Sequence, residues 1–280
     1  MENSSVLYIF VKSERPDAYL NPILYCLEHE SINKVMFLSI QADDVGSQKS
    51  KNNLARTLQL NVSSFLQYLA EDGEYKCFED FDTYKVGDKV PLQDFYPNEI
   101  DKIKTFYKKF VNNITTWENK PIKYKNLKDE MRELYSNNLK VIFDITAIDK
   151  KYIGDIYAIS TLIGIEDIYT FALNIKPNFI QPWTMLYDKL DLSKGEYEYK
   201  NVVDTDIFRD CSNSIKKERN KLITTILIAI TFVFIYMLAT KSGINQIVTN
   251  LSSAASIISL LIPLTLETIA IARERLRKRS

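Results

Sequence analysis

Leu139-Lys140-Val141-Ile142-Phe143-Asp144, running on into Ile145-Thr146-Ala147-Ile148-Asp149-Lys150-Lys151, is the stretch on which the fold turns. Its first half is a solid apolar, β-rich run that ends on an acid. Its second half is a loop carrying a hydroxyl and two lysines, after which Asp149 to Ile163 reads as a helix and Ile165 to Leu173 as a returning strand. A strand apolar on both sides must be covered on both faces, and parallel neighbours need a crossover helix between them. The same grammar recurs at the start of the chain. Val6 to Val11 and Lys34 to Ile40 are apolar runs separated by a helical stretch, Pro16 to Glu30. Two such units predict an α/β fold, a doubly wound, mostly parallel sheet.

Between the units the pattern is looser. A helix is expected from Lys49 to Ala70. A punctuated stretch, Tyr75 to Leu92, with Gly73, Gly87 and Pro91, reads as a small hairpin. Two lysine-rich helices follow, Pro97 to Ile114 and Lys125 to Asn137, whose charges mark solvated faces. After Asn174 the chain is broken by Pro177, Pro182 and Gly195. Glu196 to Val203 then alternates like an edge strand, and Thr205 to Arg219 forms a helix.

The loop after Asp144 is the candidate binding site, because ligands of open α/β sheets lie at the carboxyl edge of the strands. A helix amino end with its free N–H groups, joined by Lys150 or Lys151, suits a phosphate, and Asp144 suits a base or ribose hydroxyl. A plainer reading stands beside this one: Asp149 caps the helix, Asp144 fixes the turn, and the lysines are solvated.

The spacing Asp144-x-Thr146-x-x-x-Lys150 between an apolar strand and a helix resembles the Asp-x-Thr-x-Gly-x-Lys signature of CARF domains. These are Rossmann-like sensors of cyclic oligonucleotides in CRISPR-linked defence, related to the SAVED domains of other anti-phage systems. The resemblance spans about residues 6 to 175, with Ala147, Ile148 and Asp149 where the family's loop carries its glycine. It implies a ligand set drawn from three loops: Lys12, Ser13 and Arg15 after the first strand, Gln41 after the second, and Asp144, Thr146, Lys150 and Lys151 here. It also implies a homodimer or higher homo-oligomer with a cyclic oligonucleotide or cyclic dinucleotide across its two-fold axis, and an effector module in the same chain.

The carboxyl-terminal sequence supplies a candidate for that module. Leu222 to Thr240 holds nineteen uncharged residues, eleven of them Leu, Ile, Val or Phe, and about twenty helical residues cover the hydrocarbon core of a bilayer. At roughly −0.3 to −0.6 kcal/mol for each such residue, they favour insertion by about 3 to 7 kcal/mol. A second uncharged run, Ser242 to Leu266, is diluted by Asn250, Ser252, Ser253, Ser256, Ser259 and Pro263 and is expected to return across the bilayer behind the first. Lys216, Lys217, Arg219 and Lys221 precede the first span, and Arg273, Arg275, Arg277, Lys278 and Arg279 follow the second, against Lys241 alone in the turn. That asymmetry places both flanks on the cytoplasmic side of an inner, cytoplasmic membrane. Thr249, Ser252, Ser256 and Ser259 share one helical face, for close packing or for a weakly polar pore, and Glu267 sits at the inner end. The expected organisation is a ligand-binding domain over residues 1–175, a connector over 176–220, a transmembrane hairpin over 221–272 with spans at 222–240 and 247–267, and a basic tail over 273–280.

Composition narrows the rest. Lys plus Arg and Asp plus Glu each number 36, so no basic excess points to a nucleic-acid duplex. Cys26, Cys77 and Cys211 are odd in number and widely spaced, which suits neither a disulfide framework nor a zinc site. The apolar run behind Met1 stops at Lys12, too short and wrongly flanked for a signal peptide. No P-loop, GxGxxG, HExxH or GxSxG is present, His29 is a lone helical histidine, and no cofactor is expected. The leading expectation is a cytosolic cyclic-nucleotide sensor coupled to a membrane-disrupting effector. Asp43, Asp44 and Asp144 keep a membrane-tethered nucleotide-processing enzyme in view, and a ligand-free membrane adaptor is the third possibility.

Overall fold

The computed structural model describes residues 5–41, 53–81, 83–114, 116–138 and 140–241. In chain order the elements are β1 (Ser5–Phe10), α1 (Asp17–His29), β2 (Lys34–Gln41), α2 (Leu54–Gln67), the short β3 (Glu74–Lys76) and β4 (Lys89–Pro91), α3 (Ile100–Asn113), β5 (Thr116–Lys123), α4 (Leu127–Ser136), β6 (Lys140–Asp144), α5 (Ile153–Ile163), β7 (Ile168–Leu173), β8 (Tyr197–Asn201) and α6 (Asp206–Lys241). The main sheet has six strands in the order β5-β2-β1-β6-β7-β8, all parallel except β8, which runs antiparallel to β7. β3 and β4 pair antiparallel as a separate hairpin, as the punctuated stretch predicts.

The chain leaves β1 for β2 on one side and later returns to lay β6 on the other. The order therefore reverses between β1 and β6, the switch point at which doubly wound sheets open a crevice. Every residue of β1 from Val6 to Phe10 is buried, and successive side chains serve opposite layers. Leu7 and Ile9 join a core with α1, α2 and α3, whereas Val6, Tyr8 and Phe10 join a second core with α4 and α5. This double burial is why the strand reads as an unbroken apolar run.

Gly73 closes the turn after α2 with φ of +69°, a left-handed conformation that favours glycine; a Cβ there would stand 2.7 Å from Ile100 Cδ1, the end of a side chain that can shift aside.

Two expectations change. No strand is anticipated between the lysine-rich helices, yet β5 pairs with β2 along eight residues. Its sequence, Thr116-Trp117-Glu118-Asn119-Lys120-Pro121-Ile122-Lys123, is polar because it is an edge strand, where proline is also tolerated. The expected boundary at residue 175 moves as well. The compact unit that holds the sheet reaches Ser212. Trp183, Leu186, Tyr187, Tyr197 and Tyr199, from the anticipated connector, are core residues of that unit.

The carboxyl-terminal expectations stand differently. α6 is one continuous helix of 36 residues. Among the described residues no helix is long and apolar enough to cross a membrane, and the described side chains of its apolar portion, Ile223 to Phe232, are all exposed. The anticipated second span, with Thr249, Ser252, Ser256, Ser259 and Glu267, lies outside the described residues, as do Asp43 and Asp44.

Candidate functional site

Three loops converge where the strand order reverses. β1 ends in Phe10 and continues into Val11, Lys12 and Ser13, where the buried Tyr19 of α1 accepts hydrogen bonds from the backbone N–H groups of Lys12 and Ser13 at 2.9 and 3.1 Å. A helix side chain thus holds the first loop open against the strand end. β2 contributes Ser39 and Ile40. The loop after β6 contributes Ile148 and Asp149, followed by a single 3-10 turn, Lys150–Tyr152, that feeds α5. Together they enclose a small cleft of about 80 Å3, floored by Phe10 and Tyr152 and flanked by Lys12 and Lys151.

The polar groups of this cleft differ in how far they are committed. Asp149 accepts from the Lys151 backbone N–H at 3.4 Å and its carboxylate lies 3.7 Å from the Lys151 ammonium. It caps the 3-10 turn Lys150–Tyr152 rather than α5 itself, which starts at Ile153 without a side-chain cap. Lys151 also lies 4.7 Å from the centre of the Tyr152 ring, and Tyr152 and then Asp149 favour its protonated form. Lys12 is exposed, and its ammonium makes no contact among the described residues. Ser39 is 2% exposed, and its Oγ has no hydrogen-bond partner there. A buried hydroxyl without a partner is costly and uncommon, and here it lines an open cleft.

Asp144 and Thr146 sit behind this cleft rather than in it. Asp144 is fully buried, and its carboxylate accepts from the Thr146 N–H at 3.0 Å, the Thr146 hydroxyl at 2.9 Å and the Tyr199 hydroxyl at 2.9 Å. Thr146 Oγ1 in turn accepts from the Phe171 N–H at 2.8 Å, and Cys26 Sγ lies 3.3 Å from the Tyr199 hydroxyl. The pair ties β6 to β7 and β8. Burial pushes the Asp144 pKa up to about 6, and the Thr146 and Tyr199 donors restrain the rise.

The other anticipated ligands are dispersed. Arg15 is held by Asp17 and Glu79, and the Asp17 hydrogen bond raises its already high pKa. Ser13 turns away behind Tyr19, Gln41 ends β2 beyond the cleft, and Lys150 is exposed on the rim. Of the eight anticipated residues, Lys12 and Lys151 line the cleft. Ser39 is the functional candidate that sequence reasoning passes over. Its signal is there in hindsight, since it is a lone small hydroxyl inside the apolar run Lys34 to Ile40.

No family model matches this chain, and no curated protein matches it. Among solved structures, Enterococcus italicus Csm6 bound to cyclic hexa-2'-fluoro-hexa-dAMP is similar over 78% of this chain and 46% of that one, with 8% sequence identity and a TM-score of 0.34. The likeness spans less than half of that protein and is too loose to transfer anything to this chain.

Proposed function

We propose that the chain is a sensor of a cyclic oligonucleotide or cyclic dinucleotide whose carboxyl-terminal helices act on a membrane. The observation that carries the ligand half is the cleft at the β1/β6 switch point, lined by Lys12, Lys151 and Ser39, whose buried hydroxyl has no hydrogen-bond partner among the described residues. Two cations and a buried donor suit a phosphodiester oxygen. At about 80 Å3 the cleft takes only part of such a ligand, one phosphate or one ribose edge. A larger ligand then extends over the rim, toward Lys150. The resemblance of the Asp144 to Lys150 loop to the CARF signature agrees with this class of ligand. Asp144 and Thr146 serve in this reading as the brace that holds the loop.

The membrane half rests on α6. Ile226, Leu227, Ile228 and Ile230 are each half exposed or more and point to different sides of the helix, so the segment is apolar all round, as a helix surrounded by lipid or protein must be. The uncharged run Leu222 to Thr240 falls wholly inside this continuous helix. On this reading the basic flanks of the sequence favour a cytoplasmic side for the sheet domain and the carboxyl terminus, at the inner membrane. Signal passes only if the ligand binds the two membrane states with different affinity.

Calorimetry with a panel of cyclic oligonucleotides and cyclic dinucleotides tests the first half. Lys12→Ala and Lys151→Ala are each expected to weaken binding about tenfold or more, and Ser39→Ala severalfold, in line with hydrogen bonds to a charged group. Binding of no panel member, or binding indifferent to all three substitutions, overturns the site. For the membrane half, Ile228→Lys sets a charge at the middle of the apolar run, at a cost of roughly 3 kcal/mol to insertion. The chain should then leave the membrane fraction and lose any ligand-dependent collapse of membrane potential. Retention of both would dismiss the effector.

A further inference from the structure

The main sheet ends on two edges that are built differently. β5 carries Pro121, which lacks a donor, among Glu118, Lys120 and Lys123, and so discourages a further strand. β8, Tyr197-Glu198-Tyr199-Lys200-Asn201, has no proline and pairs with β7 along five residues. The Asn174 N–H donates to the Glu196 carbonyl at 2.9 Å. Inward and outward backbone groups alternate along an antiparallel strand. Glu198 and Lys200 therefore turn their N–H and C=O groups toward β7, and Tyr197 and Tyr199 turn theirs outward. β8 is the last strand of the sheet, so among the described residues no further strand pairs with those outward groups, and no loop backbone bonds them either.

We propose that β8 is a self-pairing edge: two copies of this chain join β8 to β8 antiparallel about a two-fold axis at Tyr199, making a twelve-stranded sheet. The charges carry the choice of occupant. In this register Tyr199 exchanges both its backbone hydrogen bonds with Tyr199 of the second copy, and Glu198 stands opposite Lys200 twice over. The two side chains share the exposed face of the strand, 3.7 Å apart within one chain. The sequence is thus complementary to itself in this register, and opposite charges facing across strands favour the pairing. A shift of one residue breaks the match, because it swings every side chain to the other face. On the other face the stacked rings Tyr169–Tyr199 and Phe171–Tyr197, at 4.9 and 5.3 Å, pack β8 side chains against those of β7. The surface is three strands from the cleft and independent of what binds there.

The test is a register-specific disulfide in the full-length chain, extracted in detergent, with Cys211→Ser removing the exposed native thiol; Cys26 and Cys77 are buried. Glu198→Cys and Lys200→Cys chains are produced separately and also co-expressed, then oxidised and run without reductant. Opposite positions lie within disulfide reach, whereas Glu198 of the two copies would stand roughly 8 Å apart, beyond it. The expected result is a covalent dimer from co-expressed chains and little from either alone. No covalent dimer, or as much from each chain alone, overturns the proposal. Light scattering gives the second reading: Lys200→Glu should weaken self-association at least severalfold, and Glu198→Lys with Lys200→Glu together should restore it. Failure of the double substitution to restore it also overturns the proposal.

Discussion

Replacing Trp183 with alanine is expected to destabilise the unit that holds the sheet by about 3–5 kcal/mol, the usual cost of truncating a fully buried indole. Trp183 is 1% exposed and lies within 4.5 to 6.0 Å of the Phe95, Tyr84 and Tyr75 rings. It enters from the 3-10 turn Pro182–Met185 and locks that turn against the β3–β4 hairpin and the loop before α3. The alanine variant leaves a cavity among three rings that cannot close on one another. Its Nε1 has no hydrogen-bond partner among the described residues, so Trp183→Phe sacrifices shape but no bond seen there and should lose distinctly less. Guanidinium unfolding followed by far-ultraviolet circular dichroism compares the three proteins. A loss below about 1 kcal/mol in the alanine variant would mean that residues 176–190 behave as a detachable connector rather than as part of the core.

Asp144→Ala is the second large change, at roughly 2–5 kcal/mol, because it strands the Thr146 N–H and the Tyr199 hydroxyl in a buried site. The wild-type carboxylate brings its own pH dependence. Its pKa lies at about 6 in the folded chain against an ordinary 3.8, so between those values the folded state binds more protons than the unfolded state. The stability this group confers is therefore complete below about pH 4 and is lost as pH rises through about 6, by about 3 kcal/mol in all. Asp144→Asn keeps the shape and removes the titration. Its stability should rise relative to wild type by about that amount between pH 4 and pH 7. A difference that stays constant with pH would refute the assignment. Both substitutions leave Lys12, Lys151 and Ser39 in place. If Asp144 is a brace, binding by Asp144→Asn should fall far less than binding by Lys12→Ala.

The comparison of Asp144 with Ser39 shows where the sequence is a poor guide to a site. An acid at the end of an apolar strand advertises ligand chemistry, yet here its oxygens are consumed by Thr146 and by Tyr199, which is fifty-five residues away in sequence and reaches it only because β8 folds back beside β7. Ser39 advertises itself only as a lone small hydroxyl in an apolar run, and becomes interesting because no described residue satisfies its buried Oγ. Arg15 and Lys12 are equally basic and three residues apart, but Glu79 arrives from a distant hairpin to neutralise the first, whereas no described acid pairs with the second. Partner availability is a long-range property, and a local pattern does not contain it.

The sequence by itself determined the βαβ units, because a strand buried on both faces has to be written as a continuous apolar run, and it marked β8 as an edge through its alternation. It also set the apolar character of the segment within α6, which depends on composition alone. The tertiary structure decided the strand order that puts the switch point between β1 and β6, the polar edge strand β5, and the incorporation of Trp183 into the core. It decided, too, which charged groups are spent on one another and which remain to meet a ligand. The physical reason is the same in each case: burial and hydrogen-bond satisfaction are settled between residues remote in the chain, and only the folded arrangement brings those residues together.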